Sequence, residues 1–104
     1  QAHPNVKIWL ANADDAAIGI YQALNNAGMG SDPDQIITGI DAGSSFRELC
    51  AAGTAFRFSS YCTSSACAET LLEVVPKLCN GEYAYQENIA IPTTTVSIEN
   101  IDIQ

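Results

Sequence analysis

Basic residues are the scarcest chemistry in this 104-residue chain: 4 Lys and Arg stand against 12 Asp and Glu, for a formal net charge of -8. So few cations cannot assemble a patch that neutralises a phosphate backbone. Nucleic-acid binding by this segment is excluded on that ground, and an anionic membrane surface is disfavoured. Histidine occurs once, as His3, where an exposed residue near the terminus is expected. The four cysteines, Cys50, Cys62, Cys67 and Cys79, include no CxxC pair and lie far from that His, so a zinc site lacks its ligand spacing. Cys67 and Cys79 fall on one expected helix, about 18 Å apart at about 1.5 Å per residue, too far to bridge. Buried or half-buried free thiols are expected, with a Cys50–Cys62 bridge left open. No apolar run approaches the roughly 18 residues of a membrane span. Nucleotide loops and the G-x-S-x-G elbow are missing, and Gly28-Met29-Gly30 follows a helix rather than a strand. With no His or activated Cys placed to act as a base, nucleophilic catalysis has no support. The chain is not expected to be an enzyme or to hold a cofactor or metal.

What is present argues for a folded core. Hydrophobic residues make up 47% and charged residues 15%, the reverse of a disordered composition, and the length suits one small domain. No initiator Met and no signal peptide are visible, and Gln1-Ala2-His3-Pro4 reads like the end of a helix. The expectation is a single partial domain over residues 1–104, cut from a longer chain that carries any targeting signal upstream.

Strand-like and helix-like stretches alternate. Val6 to Ala11 is an apolar run suited to a strand buried on both faces. Asp14 and Asp15 open a helix whose apolar positions are Ala17, Ile18, Tyr21 and Leu24, with Gly28 at its end. A turn around Pro33 leads to a second strand, Ile36 to Ile40. Ser45 and Glu48 have capping-box spacing, so a short helix should start there and stop at Gly53. Ala55 to Tyr61 is a third strand. A longer helix should run from about Ser64 to Cys79, with Leu71, Leu72, Val75 and Leu78 as its apolar face and a kink at Pro76. Ile89 to Val96 is β-branched, but Pro92 confines it to an edge or an extended crossing. The order β-α-β-α-β-α-β implies an α/β fold, a three-layer open parallel sheet.

In such sheets ligands bind outside the carboxyl ends of the strands. Asn12 and Asp14 follow the first strand, Asp41 the second, and Tyr61 ends the third. A carboxylate accepts from two adjacent hydroxyls at once, which suits a sugar, and makes Asp41 the sharpest candidate. Turn-fixing or capping of the next helix is its alternative. Tyr61 could stack on a sugar ring or serve as a half-buried edge aromatic. Asp14 is better placed to cap its helix, Asn12 can reach a ligand or hold its loop, and Trp9 belongs to the core.

These residues resemble a known family. The stretch from Gln1 to Leu24, QAHPNVKIWLANADDAAIGIYQAL, is similar to the segment of ribose- and galactose-type periplasmic binding proteins reading AHPD…(I/V)FA-N-D-MALGA-QAL. IITGIDA, from Ile36 to Ala42, resembles their VVGFDG strand. AGTAFRFSSY, from Ala52 to Tyr61, stands where they have DGKLAATIAQ, LCNGE resembles their LKGE, and the tail their IPT…VTKENID. The resemblance implies the later part of the C-terminal lobe of a two-lobed sugar-binding protein that delivers its ligand to an ABC permease. It implies a periplasmic or extracellular location, with a lipid anchor as a variant. Residues 89–104 would then be the last hinge crossing and the segment after it. Asp41 falls on the family's sugar-hydroxyl carboxylate, and Tyr61 where relatives often carry Gln or Asn. Ala13 replaces a ligand-binding Asn, a departure for which Asn12 is the neighbouring substitute. The competing reading is the effector-binding domain of a LacI-type regulator. Such domains often have a second Asp in GFDD and a proline-rich LTPPLTTV stretch. Here Ala42 follows Asp41, and Ala52 to Ser60 contains no proline. A small enzyme is a third reading. A lobe cut in this way exposes an apolar edge near Val6 to Leu10, so self-association is expected.

Overall fold

The structure is a computed structural model that describes residues 3–83 and 88–103. Gln1 and Ala2, where a helix end was expected, lie outside the described residues. The elements run β1 (Ile8–Leu10), α1 (Asp14–Asn26), β2 (Ile36–Ile40), α2 (Ser44–Ala51), β3 (Phe56–Tyr61), α3 (Ser64–Cys79), β4 (Thr94–Val96) and a 3-10 turn over Ile98–Asn100. They form an α/β fold with one sheet of order β1-β2-β3-β4, in which β1–β2 and β2–β3 are parallel. Among the described residues no helix is long and apolar enough to cross a membrane.

The chain divides into two compact units, Gln1–Tyr61 with Thr95–Ile103, and Cys62–Thr94. In the first, α1 packs on β1, β2 and β3, and α2 packs on β3 and α1. The core between them holds Ala17, Leu24, Ile37, Phe46, Cys50, Ala55, Phe56 and Val96. Phe46 and Phe56 meet edge to face with centroids 4.9 Å apart, a favoured aromatic geometry. Trp9 packs against this cluster, and its indole N–H donates to Gln35 Oε1 at 2.8 Å. His3 is exposed.

Several expectations need correction. β1 is covered on one face only: Trp9 turns inward, while Ile8 and Leu10 remain 61% and 79% exposed. The reason is that α1 and α2 are both laid against the Trp9, Ile37 and Phe56 side of the sheet. Helix α2 starts at Ser44 with Gly43 as its N-cap, so the Ser45–Glu48 capping box does not form. In the second unit α3 includes Pro76, has Asn80 as its C-cap, and buries Val74. Its partly covered stripe is Ala66, Cys67, Thr70 and Lys77, whereas Leu71, Leu72, Val75 and Leu78 are exposed. Cys50 is buried, Cys62 and Cys67 are half-buried, and Cys79 is exposed. Cys50 Sγ donates to Arg57 O at 3.5 Å, Cys62 Sγ lies against Cys67 Sγ, and all four cysteines are free.

One irregularity in β3 has consequences at its far end. Ile37 pairs with Phe56 and the next residue, Thr38, pairs with Phe58, which leaves Arg57 as an extra residue. Such a bulge shifts the in-out alternation by one. The buried face therefore passes from Phe56 to Ser59, with Phe58 turned out. Arg57 uses its position to donate to Pro33 O at 3.0 Å, holding the turn before β2.

Candidate functional site

Parallel pairing brings the carboxyl ends of β1, β2 and β3 to one edge of the sheet. The buried charged group there is Asp14, at the first position of α1 and 6% exposed. It does not cap its own helix, whose N-cap is Ala13 without a side-chain bond. Instead Oδ2 accepts from Gly43 N at 2.8 Å and Oδ1 accepts from Ser59 Oγ at 2.7 Å. The carboxylate thus sits at the positive end of α2, the neighbouring helix, where the backbone dipoles favour an anion. Ser59, 1% exposed, in turn accepts from Ala42 N at 2.9 Å. A buried carboxylate and a buried hydroxyl are both satisfied in this way, as burial requires.

That network holds the loop after β2. Asp41 N donates to Ser60 O at 2.8 Å. Together with the Ala42 and Gly43 bonds, three successive amides are anchored to β3 and Asp14. The loop is strained: Asp41 has φ 106° and Ala42 has φ 48°. Residues other than glycine at positive φ cost about 1–3 kcal/mol each and persist where the surroundings over-determine them. Here the anchors do so, and they leave Asp41 itself exposed. Among the described residues its carboxylate has no hydrogen-bond partner. A fixed backbone thus presents an open carboxylate at the sheet edge, a good acceptor for paired hydroxyls.

Tyr61 closes β3 two residues after Ser59, and the bulge puts it on the same side of the strand. It is half-buried, with the Arg47 guanidinium 5.7 Å from its ring centroid. Arg47 also donates from Nε to Ala42 O at 2.8 Å, from Nη2 to Ile103 O at 2.8 Å, and from Nη1 to Ile101 O. One side chain therefore joins the Asp41 loop, the Tyr61 ring and the C-terminal segment. Asn12 is exposed on the β1–α1 connection.

Of the four residues picked from the sequence, Asn12, Asp41 and Tyr61 reach solvent along this edge, while Asp14 braces it from beneath. Ser59 and Arg47 were missed. Ser59 carries no local signal, because its partners lie 17 and 45 residues away. Arg47 carried one: it is among only four basic residues and stands in the helix that follows Asp41. Two concavities of this unit lie elsewhere. One of about 300 Å³ is lined by Trp9, Met29 and Gln35 near the opposite ends of the strands, and one of about 450 Å³ by Cys50, Arg57 and Ile98. At the carboxyl edge Asn12 and Asp41 are exposed and Tyr61 is half-buried.

Residues 1–94 match the family described as periplasmic binding proteins and sugar binding domain of LacI family. Two solved structures from Mycobacterium smegmatis share the fold. One superposes with a TM-score of 0.70 at 22% identity over 96% of this chain and 33% of its own. The other, solved in complex with β-D-fucofuranose, gives a TM-score of 0.65 at 22% identity over 95% of this chain and 32% of its own. The chain therefore spans about a third of the length of these structures. No curated protein matches it.

Proposed function

Because the chain belongs to the family of periplasmic binding proteins and LacI-type sugar-binding domains, we propose that it is part of the sugar-binding component of an ABC importer. In this reading it forms one wall of the sugar cleft. The whole protein works in the periplasm or outside the cell and hands its sugar to a membrane permease. The observation that carries the reading is Asp41: an exposed carboxylate on a strained, fully anchored loop at the carboxyl edge of a parallel sheet. Tyr61 offers the ring face, Asn12 an amide, and Asp14 keeps the loop in place. Residues 89–104 serve as the last hinge crossing and the segment after it. The importer role is favoured over the regulator by Ala42 after Asp41 and by the lack of proline from Ala52 to Ser60.

Calorimetry of the full-length protein against a sugar panel tests this. The panel includes furanose rings, since a similar fold was solved with one. Asp41→Ala should weaken the preferred sugar by about tenfold or more, about 1.4 kcal/mol, and a variant that binds as tightly as the parent removes Asp41 from the site. Operator DNA binding by the full-length protein, in place of sugar uptake with a permease, would select the regulator.

The chain by itself should self-associate. β1 lies at one end of the strand order, and Ile8 and Leu10 are exposed on it; Leu71, Leu72, Val75 and Leu78 are exposed on α3. Apolar surface and an unpaired strand edge both recruit other chains. Light scattering should report a mass that grows with concentration, and a constant monomer mass would refute it.

A further inference from the structure

Cys62 and Cys67 bracket the start of α3. Thr63 is the N-cap: its backbone is extended, and its hydroxyl accepts from Ala66 N at 3.2 Å. Cys62 therefore stands at the position before the cap and Cys67 at the fourth helical position. Side chains at these two places meet in many helices as an apolar staple that fixes the entry of the chain. Here two thiols take the staple positions. Their Sγ atoms are 3.0 Å apart and half-buried, and Cys62 Sγ is also 3.8 Å from Thr63 O. A disulfide needs about 2 Å between sulfurs, so a closure of about 1 Å remains.

We propose that Cys62 and Cys67 are a redox-closable pair that forms a disulfide across the N-terminus of α3 by exchange with a small-molecule disulfide. One thiolate attacks a sulfur of the small disulfide, forming a mixed disulfide and releasing one small thiolate. The second protein thiolate attacks the protein sulfur of that mixed disulfide, and the second small thiolate leaves. Two protein thiols are oxidised and one small disulfide is reduced to two thiols, so atoms and electrons balance. The ring encloses Thr63 and the first turn of α3, so closure locks the cap and the helix start together. The hydrogen bond with Cys67, followed by burial, raises the Cys62 thiol above its ordinary range. Exchange should therefore quicken as pH rises and thiolate becomes available. The inference concerns α3 alone and holds whichever ligand the chain serves.

The test uses the chain as it stands. It is equilibrated with glutathione disulfide, freed of excess, alkylated, denatured and cut with trypsin. Cleavage at Arg47, Arg57 and Lys77 separates Cys50, on peptide 48–57, from Cys79, on the peptide after Lys77, and keeps Cys62 and Cys67 together on peptide 58–77. That last peptide should lose two hydrogens and take no alkyl group, while exposed Cys79 remains outside any protein disulfide. Two alkyl groups on peptide 58–77, a glutathione adduct that persists on either of its cysteines, or a link to Cys50 or Cys79 overturns the proposal. Unfolding the chain before oxidation should slow closure by roughly tenfold, since placement by the fold supplies the effective concentration. An equal rate in the unfolded chain would show that short spacing alone joins the thiols, and would also overturn it.

Discussion

Gly39→Ala should lower unfolding stability by about 3–5 kcal/mol, a large share of the roughly 5–15 kcal/mol available to a domain of this size. Gly39 lies in β2 and is buried under the start of α1. A methyl group there would fall on the Asp14 carboxylate, 2.9 Å from Phe56 Cζ and 3.2 Å from Asp14 Cα. The last of these is backbone, so α1 itself has to move. Overpacking a filled core costs about 1–3 kcal/mol. Displacing Asp14 adds the loss of its bonds to Gly43 N and Ser59 Oγ, each charge-assisted and worth about 1.5–3 kcal/mol before relaxation. The urea midpoint should fall with little change in slope. Gly19 supplies the opposite case. It is exposed in the middle of α1, and a methyl group there meets nothing within 4 Å. Gly19→Ala should raise stability by about 0.5–1 kcal/mol through helix propensity alone. If both substitutions moved the midpoint in the same direction and by similar amounts, the close approach of α1 to Gly39 would be disproved.

The same pair of residues marks the limit of what the sequence reveals. The alternation of strands and helices was legible because each element carries its own period, and the helix ends at Gly28, Gly53 and Gly81 all carry the positive φ of a helix stop. Asp41 was legible as a site residue because strand order alone puts it at the ligand edge. Asp14 was misread for a physical reason. Its acidic position at a helix start is a local signal, whereas its partners are 29 and 45 residues distant. The onset of α2 was misread with it, since the Asp14 carboxylate organises the Gly43 amide, two residues ahead of the expected Ser45 box. The side of β3 that Tyr61 occupies depends on a bulge at Arg57 that no alternation pattern announces. On α3 the sequence shows an apolar stripe, but hydrophobicity does not state which surface covers it. The buried residue is Val74, and the leucines face out.

Arg47→Met should cost about 3 kcal/mol and lower the melting temperature by roughly 15 °C, given about 4–8 °C per kcal/mol for a domain of this length. The substitution keeps the apolar stem and removes the planar fork. Three carbonyls, of Ala42, Ile101 and Ile103, lose their donor together. Each such bond to a charged group is worth about 1.5–3 kcal/mol when buried, and half-burial of Arg47 reduces the sum. Arg47→Lys should recover less than about half, because one ammonium cannot serve three carbonyls that a rigid fork reaches from separate nitrogens. The location of the damage is the sharper test. Ile101 and Ile103 are half-buried and belong to the last segment of the chain. In hydrogen exchange the amides of Asn100 and Ile103, bonded to Ser97 O and Asn100 O, should lose protection before those of β2 and β3. A loss spread evenly over the unit would mean that Arg47 supports the core in general rather than tying down this segment. Arg47 also faces Tyr61 and holds Ala42, the residue after Asp41. If residues 89–104 are the last hinge crossing and the segment after it, a single guanidinium then joins that stretch to Ala42 and Tyr61 at the carboxyl edge. Releasing it should disturb the edge as well as the tail, and Arg47→Met in the full-length protein should weaken sugar binding even under conditions where the fold remains intact.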